Sequence, residues 1–80
     1  MHMEQVDEEC IALMQKILKI SSEQCRVENY EDSDVWDSLK HMELIMEFET
    51  YFSIDFDEEE MIEMTSLKSI AAILQKKLMK

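Results

Sequence analysis

Leu44, Phe48 and Phe52 recur at four-residue intervals, with Ile45 beside the first of them, while Glu43, Glu47, Glu49 and Thr50 take remaining positions around them. That spacing lays one apolar stripe along a helix over residues 39–52. Asp37 or Ser38 supplies an N-cap oxygen for its first free N–H groups. Near the start of the chain Val6, Cys10, Leu13, Met14, Ile17 and Leu18 follow the i, i+4, i+7, i+8 pattern and predict a first helix over 4–18. Glu4, Asp7, Glu8 and Glu9 fall near its start, and Lys16 and Lys19 near its end, each favourable with the helix dipole.

Between these helices the pattern fades. Ser21-Ser22 weaken the first one, and from Ile20 to Trp36 the chain is polar, punctuated by Val27, Tyr30, Val35 and Trp36. A connector of that length is uncommon in a compact domain unless it is functional or packed down by those apolar residues. Cys25, within it, reads as a reduced surface thiol. Beyond Phe52, Ser53-Ile54-Asp55-Phe56 reads as a loop pinned by Ile54 and Phe56. Asp57, with Glu60 three residues later, has the capping-box pattern and opens a short helix over 58–64 with Met61, Ile62 and Met64 as its apolar residues. Thr65 or Ser66 then caps a last helix striped by Leu67, Ile70, Ala71, Ile73, Leu74 and Leu78, with Lys76, Lys77 and Lys80 at its end. Three main helices and one short one make an all-α chain, a small three- to four-helix bundle.

Composition narrows this further. Eighty residues predict a single domain over 1–80 with a small core, burying only about 60% of the unfolded chain's surface. The absence of Gly and Pro argues against tight hairpins, glycine-rich phosphate loops and oxyanion elbows. No apolar run approaches the roughly 20 residues that cross a membrane, and the N-terminus has neither the basic nor the apolar region of a signal peptide; a cytoplasmic protein is expected. Cys10 lies in the first stripe and reads as core. Two cysteines make no disulfide framework and have no metal-ligand spacing, so no metal site is expected. The Met1-His2-Met3 start reads as a disordered tip in which His2 has no role. Of eight methionines, Met14, Met42, Met61 and Met64 suit the core or its edge, with Met42 and Met46 also suited to an adaptable docking surface.

The net charge of −11 is unevenly placed. Residues 31–63 hold 13 of the 19 acids and Lys40 alone among the bases, leaving −12 there and +1 elsewhere. Such a field repels nucleic acid and anionic membrane and steers basic protein surfaces. It also strains the folded state by self-repulsion, relieved by salt or by diffuse binding of divalent ions.

The chemistry to weigh is at Ser38. A serine at a helix start is ordinarily a cap and nothing more. Yet a helix N-terminus presents unpaired N–H groups and a partial positive charge, so a phosphate ester there is electrostatically favoured. Leu39 and Met46 fall away from the buried stripe, leaving apolar side chains among carboxylates beside the same hydroxyl, as a docking surface would.

Asp37-Ser38-Leu39, the run Met42-Glu43-Leu44-Ile45-Met46-Glu47-Phe48-Glu49-Thr50-Tyr51-Phe52 and Ile54-Asp55-Phe56-Asp57 together resemble the acyl carrier proteins, over about Asp34 to Leu74. The three-residue motif is weakly specific; the helix behind it is the specific part. The resemblance implies an acyl-carrier-type bundle with a long first loop. It implies that Ser38, flanked by Asp37 and Leu39, accepts 4'-phosphopantetheine from coenzyme A through a phosphopantetheinyl transferase, and that the arm's thiol carries acyl or aminoacyl groups as thioesters. Leu39, Glu43, Met46, Glu47 and Glu49 would form the face on which basic loading and transfer enzymes dock. The chain would be a monomer and itself no enzyme. It departs from the fatty-acid type: no Gly precedes Asp37, Trp36 replaces a small residue, Lys40 stands where an acid is common, and Phe56 precedes Asp57 with no Pro nearby. Trp36-Asp37-Ser38-Leu39 is more similar to stand-alone carriers of polyketide, nonribosomal peptide or cell-surface polymer pathways, D-alanyl carriers included.

Three other readings compete. His41, one turn from Ser38, makes a Ser-His pair conceivable, but it lacks an orienting third group, an oxyanion hole and a water-excluding pocket. Asp32, Asp34, Ser38 and Glu43 match positions 1, 3, 7 and 12 of an EF-hand-like calcium loop, yet Trp36 offers no oxygen at position 5 and Asp37 replaces the turn Gly at position 6. The third is a non-covalent acidic helical interaction module with Ser38 a mere cap.

Overall fold

The computed structural model describes residues 3–78. The chain forms α1 (Met3–Leu18), α2 (Ser22–Val27), a 3-10 turn (Tyr30–Asp32), α3 (Ser38–Phe52), α4 (Glu58–Glu63) and α5 (Leu67–Leu78). The first helix begins at Met3; the rest of the expected N-terminal tip, with His2, lies outside the described residues. α1 packs against α5, α3 and α2, while α2 and α4 rest on α5. An all-α bundle with three main helices was the expectation, and it holds.

The core follows the predicted stripes. Val6, Cys10, Leu13, Met14 and Leu18 from α1, Leu44, Ile45 and Phe48 from α3, and Leu67, Ile70, Ala71 and Leu74 from α5 are buried. Ile17, Phe52, Ile73 and Leu78 pack against them from the edge. Phe56 and Met64 are buried as well, so the loop after α3 is pinned as its pattern implied.

The connector is where the expectation needs correcting. Ser21 does not simply weaken α1; it caps α2, its Oγ accepting from Gln24 N at 3.0 Å. Cys25 on α2 is fully buried, not a surface thiol. A six-residue helix is too short to show a full stripe, so one inward Cys between polar neighbours looks like loop. Past it, Tyr30 N donates to Thr65 O at 2.9 Å, within an isolated antiparallel bridge of Asn29 and Ser66 that ties the connector to the α4–α5 junction. Trp36 is buried and Tyr30 partly so, whereas Val27 and Val35 stay exposed.

The other caps match. The Asp57–Glu60 capping box is closed both ways, Glu60 N donating to Asp57 Oδ1 at 2.8 Å and Asp57 N to Glu60 Oε1 at 2.9 Å. Ser66 Oγ accepts from Ser69 N at 3.2 Å at the start of α5. Lys77 on α5 reaches Glu60 at 3.0 Å and lies 5.7 Å from the centre of the Phe56 ring, fastening α4 to the end of the last helix. With no glycine in the chain, Ser53 takes the left-handed position (φ 56°) that ends α3.

Candidate functional site

Ser38 is the first residue of α3, a helix of 15 residues. The cap is Asp37, whose Oδ1 accepts from Lys40 N at 2.9 Å while its carbonyl accepts from His41 N at 2.8 Å. The two candidate caps are thereby separated: Asp37 does the capping. Among the described residues the Ser38 hydroxyl makes no hydrogen bond, and the N–H groups of Ser38 and Leu39 are likewise without protein partners. Asp37, Ser38 and Leu39 are all exposed. An uncommitted hydroxyl stands beside two free N–H groups at the positive end of a helix dipole.

An aromatic clamp fixes where that hydroxyl sits. Ser33 Oγ accepts from Val35 N at 3.1 Å and Trp36 N at 2.9 Å, turning the chain inward. The Trp36 indole is buried and donates from Nε1 to His41 Nδ1 at 3.1 Å, while His41 Nε2 donates to the Met61 carbonyl at 2.9 Å. Those two partners define the neutral tautomer with its proton on Nε2. Tyr30 stacks on the same imidazole, centroids 4.4 Å apart. One ring therefore joins the connector, the first turn of α3 and the end of α4, leaving Asp37 and Ser38 as the exposed corner. With both ring nitrogens engaged, His41 has none left to act as a base on Ser38, which removes the Ser-His reading. The clamp was missed because a His one turn from a Ser suggests a catalytic pair more readily than a bridge, although the Trp36 to His41 spacing across the cap was the available signal.

The predicted docking residues divide. Leu39 and Met46 are well exposed, and Glu43 lies between them, 3.7 Å from Lys40. Glu47 and Glu49 sit at opposite edges of that face: Glu47 is bound by Lys16 at 2.5 Å, and Glu49 Oε2 accepts from Phe56 N at 3.0 Å. Met42, suited to the core edge or to a docking surface, is exposed, and so is Ile62 on α4. Both border a surface cleft of about 380 Å³ between α3 and α4, with Tyr30, His41, Ile45 and Met61. Ser38, His41, Met42 and Ile45 share one helix face, so the cleft starts one turn from the hydroxyl.

The EF-hand pattern does not survive folding. Trp36 at its fifth position is buried, and its seventh and eighth, Ser38 and Leu39, already form the first turn of α3. No group of three or more His, Cys, Asp or Glu among the described residues is placed to hold a metal ion. Neither thiol competes with the site: burial, then Asp7 and Glu9, push Cys10 up to about 12, and burial, then Glu28, raise Cys25 against the opposing pull of Arg26. Such thiols are poor nucleophiles.

An exposed and unbonded serine thus heads α3 of a small helical bundle. The chain matches the phosphopantetheine attachment site family over residues 11–74 and belongs to it, as a carrier protein of the acyl carrier protein family in which 4'-phosphopantetheine is covalently bound. No curated protein matches the chain. Among the described residues, no helix is long and apolar enough to cross a membrane.

Proposed function

We propose that Ser38 is the attachment residue and that the chain delivers acyl or aminoacyl groups between enzymes. The supporting observation is that Asp37 caps α3, so the Ser38 oxygen is uncommitted, exposed and next to two free N–H groups. Once attached, the arm contributes a terminal thiol that holds cargo as a thioester. In the transfer from coenzyme A, Ser38 Oγ gives up its proton and bonds to phosphorus, and the adenosine bisphosphate leaves. This chain contributes placement: the clamp holds the first turn of α3 still, its N–H groups favour the new negative charge, and Asp37 flanks the encounter. Activating the hydroxyl falls to the transferase.

Loading and transfer enzymes approach along the face of Leu39, Glu43 and Met46, with Glu47 and Glu49 at its edges. Short acyl or aminoacyl cargo fits better than a long chain, because Trp36, Phe48 and Met14 fill the interior and the space beside Ser38 is a surface cleft bordered in part by Glu31, Glu58 and Thr65. Two free cysteines, Cys10 and Cys25, suit a reducing compartment such as the cytoplasm.

Intact-protein mass spectrometry after incubation with coenzyme A and a broad-specificity phosphopantetheinyl transferase tests the reading. Wild type should gain one phosphopantetheine and Ser38→Ala none. A folded wild type that gains nothing with several transferases, yet still binds a partner, is instead the non-covalent module.

A further inference from the structure

We propose that the groove between α1, α2 and α5 is a second docking site, which takes an acidic amphipathic segment of another protein and does not depend on Ser38 being the loaded residue. The groove has a volume of about 380 Å³. Along α5, Leu67, Ala71 and Gln75 form one row at four-residue spacing, and Lys68 and Ala72 form the next. Two alanine methyls therefore floor a notch between longer side chains, and Ala72 is the one apolar residue of α5 left exposed. Asp7 from α1 and Arg26 from α2 complete the walls.

Charge decides what fits. The chain has 19 acidic residues to 8 basic ones, yet α5 carries three lysines and no acid. Lys77 is engaged by Glu60, whereas among the described residues neither Lys68 nor Arg26 belongs to an ion pair, and both are exposed. The groove thus sets two uncommitted cations beside an apolar floor, while the cleft next to Ser38 is bordered by Glu31 and Glu58. Its complement is a helix that lays apolar side chains on Ala71 and Ala72 and sets carboxylates against Arg26 and Lys68. Asp7, the one acid of the lining, favours a donor or cation at its own wall and so orients the segment. Nucleic acid and anionic membrane also offer negative charge, but as extended surfaces they meet the −12 stretch of residues 31–63 and are repelled. A second copy could supply acids from that stretch, but each copy brings a net charge of −11, and such a head-to-tail contact does not close on itself.

None of the lining residues comes from α3 or α4, and none is shared with the cleft beside Ser38. An acidic partner seated here holds the chain by α1, α2 and α5 and leaves Ser38 open. Opposite charge requirements keep the partners of the two sites from exchanging places.

The test is amide chemical-shift perturbation of the isotope-labelled full chain by two synthetic helical peptides of about 15 residues. The peptides share a leucine stripe and carry either glutamates or lysines elsewhere. The glutamate peptide should move the amides of Arg26, Lys68, Ala72 and Gln75, and the lysine peptide should leave these in place. Arg26→Gln with Lys68→Gln should weaken the glutamate peptide by about fivefold or more. Ala72→Glu, which fills the notch with a like charge, should abolish the groove shifts, and both variants should load phosphopantetheine as wild type does. Glutamate-peptide shifts that miss the groove or centre on α3, equal binding of the lysine peptide there, or binding undiminished in either variant overturns the proposal. Groove shifts that appear on concentrating the chain alone make a second copy the occupant and overturn it too. A folded wild type that binds the glutamate peptide in the groove but does not load counts against the Ser38 reading alone.

Discussion

In α5 every apolar side chain from Leu67 to Leu78 except Ala72 is at least partly buried, whereas α3 buries Leu44, Ile45 and Phe48 and leaves Leu39, Met42, Met46 and Tyr51 more than half exposed. Both helices carry a stripe at the same period, and both stripes go inward. The difference is the surplus. A bundle of this size takes one stripe from each helix, so apolar residues beyond it have no interior to enter and remain on the surface, where only a partner offsets their hydration cost. α5 is a helix for holding the fold, and α3 holds the fold with its stripe while its N-terminal end presents Ser38.

The largest effect that separates the two sides lies within α3. Phe48→Ala should cost about 3–5 kcal/mol by removing a fully buried ring, a large part of the stability of a domain this small. Met46→Ala, two residues away, should stay within about 0.5 kcal/mol. Urea unfolding followed by Trp36 fluorescence measures both, and equal losses would erase the contrast.

The clamp gives a smaller effect. Trp36→Phe keeps an aromatic ring but removes the indole donor, leaving His41 Nδ1 without its partner, and should cost about 1–3 kcal/mol. It should also loosen the first turn of α3, seen as faster amide exchange at Lys40 and His41. Unchanged exchange there would mean that Asp37 alone seats the helix.

The smallest effect concerns acid. The Asp57 N–H and then Lys77 hold the Glu60 carboxyl below its ordinary value of 4.5. A carboxyl lowered in the folded state contributes stability that is complete above about pH 4.5 and fades as pH falls through the lower folded value. Glu60→Gln should therefore be slightly less stable than wild type at neutral pH and converge with it in acid. Parallel curves across that window would mean that the α4–α5 fastening is not electrostatic.

Much of this was legible in the residues. The stripes of α1, α3 and α5 are long enough to fix both period and inward face, and the Asp57–Glu60 box forms as its spacing implied. α2 was not legible, since six residues hold too little pattern to separate a helix from a polar connector, and Cys25 was misplaced with it. At the site, Asp37-Ser38-Leu39 identified the corner but left two candidate caps, and only the bond from Lys40 N separates them. The bridge from Trp36 through His41 to Met61 depends on where α4 docks, a long-range fact that no local spacing carries. The exposure of Ile62 is of the same kind: a six-residue helix shows an apolar residue without showing which way it faces.

The central claim is that the uncommitted hydroxyl heading α3 carries the arm. Fragmentation mass spectrometry of the intact protein purified from its own cells, without added transferase, tests this most directly. The account predicts a phosphopantetheine localised to Ser38. The same mass on any of the other six serines, or a chain that carries none, would contradict it.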